Sequence, residues 1–190
     1  SAQVSQGEGA VAIGYLAGET TQGASSVAIG KEAGLTSQGT ESVAIGDQAG
    51  KTTQGERAIS IGDLAGNTTQ GATAVAIGAN AGRITQGATG VAIGMSAALE
   101  GQGTGATAVG EGAGQGQQSA YAVAVGRNSG SSTQSINAVA IGNAAGNSSQ
   151  GASAVAVGEN AGSDTQSLES IAIGKNAAAG ATTTATYVSG

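Results

Sequence analysis

Ser26-Val27-Ala28-Ile29-Gly30-Lys31-Glu32-Ala33-Gly34-Leu35-Thr36-Ser37-Gln38-Gly39-Thr40-Glu41 runs without a break into Ser42-Val43-Ala44-Ile45-Gly46-Asp47-Gln48-Ala49-Gly50-Lys51-Thr52-Thr53-Gln54-Gly55-Glu56-Arg57. The Ser-Val-Ala-Ile-Gly head, the Ala-Gly pair and the Gln-Gly pair return sixteen residues later. Working outward, Val27 belongs to a column running from Val11 to Ile171, and Ile29 to one running from Ile13 to Ile173. Gly occupies every sixteenth position from Gly14 to Gly174 and again at Gly190, and Gln does so from Gln6 to Gln166. The phase reads through to Gly190, with neither insertion nor deletion expected across the chain.

A sixteen-residue period is too short for helical repeats, which take about 33 to 47 residues each. Val11-Ala12-Ile13 alternates β-branched and small residues, a strand signal. Thr20-Thr21-Gln22 reads as a second short strand, with Gly14, Gly18 and Gly23 at the corners where the chain must turn sharply. The expected fold is all-β: a single parallel β-solenoid over residues 1–190. About twelve coils stacked at about 4.8 Å would make a rod on the order of 55 Å long.

Composition narrows the function classes. There are 36 Gly, 9% charged residues, and no Cys, His, Pro, Trp or Phe among 190 residues. Without Cys or His the chain lacks disulfides, zinc sites, thiol nucleophiles and the usual general base, so we expect no enzyme, no cofactor and no metal site. A net charge of −6 argues against nucleic acid, which asks for a basic face. No apolar run is long enough to span a membrane. Disorder fits badly, because 39% of the residues are apolar and they are placed at regular intervals.

All 18 charged residues fall in six of the sixteen columns, those headed by Tyr15, Leu16, Glu19, Thr20, Ala24 and Ser25. These six read as solvent-facing corners and the other ten as buried or constrained. Within the first strand the larger side chains are expected inside, so Val11 and Ile13 would fill the coil and Ala12 would face out. An outward stripe that is small and uncharged reads as an oligomer interface, formed by Ala12, Ala28, Ala44, Ala76, Ala92, Ala108, Ala124, Ala140, Ala156 and Ala172. Self-association is the expected partnership, as a homotrimer, a head-to-tail filament, or both. The chain begins at Ser1 and stops at Gly190 without a capping segment, which suggests stacking ends or a piece of a longer fibre. Gly accumulates between Ala97 and Ser119, where a bend or local opening is expected.

Other chemistry has weaker support. Asp47 and Asp63 share a column, but calcium needs six or more oxygens in one place. Glu41 and Arg57 read as an exposed pair of small worth. The Thr20 column invites an ice-binding reading. Against it, Ile84, Glu100, Gly116, Asp164 and Gly180 interrupt the column, and Thr20 and Thr21 are expected on opposite faces of their strand.

The heads Ser26-Val27-Ala28-Ile29-Gly30 and Ser42-Val43-Ala44-Ile45-Gly46 resemble the head repeat of trimeric autotransporter adhesins, and similar repeats occur in bacteriophage tail fibres. The likeness covers nearly the whole chain. It implies a left-handed parallel β-roll, three chains packed together, displayed outside the cell or on a virion fibre. The adhesin repeat is usually shorter and its Gly-Gln pattern differs, and the stalk and anchor of that family are not matched here. The expected function is an extracellular structural fibre or adhesin head module. Its variable corners would meet a host-surface or matrix ligand, without membrane insertion by this chain. A self-stacking filament subunit and an ice-binding protein are the alternatives.

Overall fold

A computed structural model describes residues 5–178 and 186–188. It is a parallel β-solenoid of about eleven coils, with no helix among the described residues. Each coil contributes two short strands, such as Val75–Ile77 and Thr85–Gln86. The three-residue strands stack into a 12-stranded parallel sheet, and the two-residue strands into an 11-stranded one. Register is one repeat per step: Val75 pairs with Val91, and Gln86 with Gln102.

The filling of the coil reverses the expectation for the first strand. Ala28, Ala44, Ala76, Ala92, Ala108, Ala124, Ala140, Ala156 and Ala172 are fully buried inside this single chain, and Ala12, in the terminal coil, is half-buried. They face a second small column, Ala33, Ala49, Ala65, Ala81, Ala97 and Ala113, which is equally buried. These nine alanines are therefore core of the rod and not a surface offered to another chain, and Ala12 packs against its end. The Val11 and Ile13 columns point out.

The reason is thickness. A methyl group added at Gly34 would lie 2.8 Å from the Gln38 Oε1 and 3.4 Å from the Ala28 Cβ. The turn, the Gln strand and the Ala strand already touch, so a Val or Ile pointing inward has no volume to occupy. Small residues on both inner surfaces are the condition for so flat a coil, and dense packing leaves no voids for larger ones.

The inner polar column is the structural surprise. Gln22, Gln70, Gln86, Gln134 and Gln150 are among the largest fully buried side chains. Each inner Gln donates its amide to the backbone carbonyl of the Val-column residue eleven positions earlier, as from Gln86 Nε2 to Val75 O at 2.8 Å. From Gln70 to Gln150 the same amides also bond one another up the axis, at 3.0 to 3.1 Å. Bonding of this kind is what lets polar groups stay buried, and it is incomplete at Gln22, Gln54 and Gln166, whose Oε1 atoms have no hydrogen-bond partner. Ser60, standing where other coils have Ala, closes the lower end by donating to Gln70 Oε1 at 2.7 Å.

Residues 97–119 hold the same register as the rest, with Gly101 paired to Thr85 and Gln117, and Thr107 to Val91 and Val123. The expected bend is absent because the Gln102 and Gln118 bonds continue through this region. Ala98 takes the place of the usual turn Gly, at φ +48°. Gly90 stands where other coils have Ala or Ser, and a Cβ there would lie 2.8 Å from Gln102 Oε1. The extra methyl of Ala98 and the missing one at Gly90 thus flank the same amide.

The last strand departs from the sequence phase. Ile171 pairs with Thr186 and Ile173 with Val188, a step of fifteen residues instead of sixteen. The expectation that the period continues unchanged to the end is corrected on this point. Gly180 and Gly190 lie outside the described residues.

Corner glycines set a testable limit. Gly78 has φ +123°, and a Cβ on it would lie 2.7 Å from the Gly94 carbonyl oxygen of the next coil. That conformation is open to Gly and strained for other residues, at about 1–3 kcal/mol. Gly78→Ala should lower stability by about 2 kcal/mol, read as an earlier denaturant midpoint with an unchanged slope. A midpoint equal to that of the parent would show that the corner can move.

Candidate functional site: two uncharged faces and charged corners

The outer surface divides into three kinds of column. On the larger sheet, the Val11 and Ile13 columns form an apolar stripe. Its members are half-buried by their neighbours above and below or open to solvent, with Ile61, Ile93, Ile141 and Ile173 each 37% to 40% exposed. Thr107 is its single polar member between Val11 and Ile173, and no charge enters it. Ranking hydrophobicity above volume puts these residues inside, which is where the sequence reading expects them. A signal for the opposite arrangement is present in the sequence: the Ala12 column and the Ala17–Gly18 columns are both small throughout, and two small columns must face each other.

On the smaller sheet, Thr21, Ser37, Thr53, Thr69, Thr85, Thr133, Ser149 and Thr165 are exposed in one column. Thr20, Thr36, Thr52 and Thr68 beside them are exposed as well. The expectation of opposite faces fails here for a backbone reason. The Thr20 amide donates to Leu35 O at 2.9 Å and the adjacent Thr21 amide to Thr36 O at 3.0 Å. Both amides point up the axis, whereas successive amides of an extended strand alternate. The alternation is broken at this step, and both side chains emerge.

The corners carry the charge. Arg57 Nε lies 2.8 Å from Glu41 Oε2, and its Nη2 lies 3.1 Å from Glu56 Oε1. The two carboxylates hold the guanidinium pKa above its ordinary value, Glu41 contributing first by hydrogen bond. Lys175 and Glu159 pair at 3.0 Å. Lys51 Nζ reaches Glu32 Oε2 at 2.7 Å, and Gln48 Nε2 donates to the same oxygen at 3.1 Å. The Lys51 bond is the main reason the Glu32 carboxyl titrates below the usual range. No group of three or more acidic, His or Cys residues is placed to hold a metal among the described residues, and no helix there is long and apolar enough to cross a membrane. The Asp47 and Asp63 pair gathers no further ligand among them. The chain matches no protein-family model, no curated protein and no solved structure.

Glu32 gives a pH prediction with a definite sign. Its folded pKa is depressed, so its contribution is present above the unfolded-state pKa of a Glu, about 4.3. It is lost as pH falls through the lower folded value. The difference in melting midpoint between the parent and Glu32→Gln should be constant near neutrality and shrink on acidification below pH of about 4.3. It should also be small, as for other surface pairs. A gap that widens at low pH would reverse the assignment.

Proposed function

We propose that this chain is a structural rod module of an extracellular fibre or adhesin, and that copies of it pack side by side through the Val/Ile face. One observation carries the reading: an outward, uncharged, aliphatic stripe that continues over every coil from Val11 to Ile173. Monomeric proteins seldom leave a long contiguous apolar surface in water, and such patches mark interaction sites. The self-association expected from the Ala stripe is retained, and its surface moves to the opposite side of the same strand. A homotrimer is the arrangement the resemblance to adhesin heads implies. The chemistry is geometric, with a stiff frame of stacked coils and variable corner side chains available to a host-surface or matrix ligand.

Sedimentation equilibrium of the purified chain tests the assembly. The expected mass is a small multiple of 17.6 kDa, whereas a monomer at all concentrations would sink the proposal. Ligand presentation has a separate test. Replacing Glu41, Arg57 and Glu56 together by Ser should weaken adhesion to the bound surface, and unchanged adhesion would remove the corners from that role.

A further inference from the structure

We propose that the hydroxyl face of the coils spanning Thr20 to Thr85 binds ice. This face lies on the sheet opposite the Val/Ile stripe, so it stays open to ice whether or not copies associate through that stripe.

Three observations point to a water lattice as the occupant. First, the pairs Thr20-Thr21, Thr36-Ser37, Thr52-Thr53 and Thr68-Thr69 repeat in register, and all eight residues are exposed. Two adjacent columns of hydroxyls are therefore open to solvent, one on the strand and one just before it. Second, these hydroxyls are uncommitted. Apart from a long bond from Thr68 Oγ1 to Asn67 Oδ1 at 3.5 Å, no hydrogen bond from any of them to protein is found. Their donors and acceptors are open to water. Third, neither column holds a charge between Thr20 and Thr85. The first is Glu100, beyond Ile84 and Thr85. A charged group would organise water around itself and oppose a regular lattice.

The repeat distance fits the same occupant. Two water–water hydrogen bonds of about 2.75 Å meeting at a tetrahedral angle span about 4.5 Å. Stacked coils repeat at about 4.8 Å. The mismatch of about 0.3 Å per coil accumulates slowly, so a run of five coils can stay near registry where a longer one would drift out. The fixed backbone adds preorganisation, since the hydroxyls are already spaced before ice arrives and little ordering remains to oppose binding.

Ice-affinity partitioning of the full chain is the test: an ice hemisphere is grown slowly from dilute protein, and protein in ice is compared with protein in the remaining liquid. We expect enrichment in the ice, together with a gap between melting and growth temperatures in concentrated solution. Exclusion from the ice would overturn the proposal. Ser37→Lys with Thr53→Lys should abolish enrichment while leaving the melting curve in place, because both side chains are exposed and unbonded. Retained enrichment in that folded variant would also overturn it. Asn137→Lys with Ser153→Lys adds the same charge on an exposed corner and should leave enrichment intact. Equal loss there would show an effect of charge alone and count against the Thr face.

Discussion

Gln102→Leu is expected to destabilise the rod by about 3 kcal/mol, more than the substitution at Gly78. Gln102 Nε2 lies 2.8 Å from Val91 O, 3.1 Å from Ala106 O and 3.1 Å from Gln118 Oε1, so its two hydrogens serve three acceptors, one of them shared. Its own Oε1 accepts from Gln86 Nε2 at 3.0 Å. Leu has similar bulk and none of this capacity. It would leave the buried Gln118 Oε1 without this donor, at about 1–3 kcal/mol when orphaned. It would also take one bond from the Val91 and Ala106 carbonyls, while Ala106 O keeps the Val91 amide and Gln86 Nε2 keeps Val75 O and Gly90 O. In a solenoid each coil contacts its neighbours alone, so the damage is confined to the two interfaces that this coil makes, toward Gln86 and toward Gln118. Amide hydrogen exchange should accelerate first around Val91 and Thr107, before the coils near Val43 or Val155. Uniform acceleration along the rod, or no change, would mean that the Gln column does not couple adjacent coils.

That column also shows what the sequence made legible. Sixteen-residue phase, strand positions and parallel stacking follow from columns such as Gln6 to Gln166 and Gly14 to Gly174, because in-register stacking is the simple way to reuse one coil. The occupant of the interior was not legible from hydrophobicity. Val27 and Ile29 outrank Ala28 on any transfer scale, yet Ala28 is inside, because the Gly34 turn and the Gln38 amide leave space for a methyl group and nothing larger. Volume decided the face, and transfer energy followed. A second physical rule fails at Thr20 and Thr21, which alternation would send to opposite faces. Period-two alternation holds while the backbone is extended, and two parallel amides at this corner cancel it. The fifteen-residue step to Thr186 lacks a sequence signal, since the Gly phase continues through to Gly190.

Inverting the strand turns a buried core into an exposed stripe, and the exposed stripe has a direct test. Ile77→Glu with Ile93→Glu places two carboxylates on adjacent coils of the Val/Ile face. Both side chains point outward, Ile77 partly covered and Ile93 open, so the single-chain fold does not need their volume. An interface between copies would have to desolvate both charges without partners, a cost of several kcal/mol per ion. We expect the assembled particle to dissociate to chain mass while retaining the β spectrum of the parent. Thr69→Glu with Thr85→Glu carries the same charge on the opposite sheet and should leave the particle mass unchanged. Dissociation by both variants would point to general charge repulsion, and dissociation by the Thr pair alone would put the contact on the hydroxyl face. An Ile77/Ile93 variant that keeps the parent mass would leave the apolar stripe bare in the assembly, against the cost of exposing aliphatic surface at about 25 cal/mol per Å².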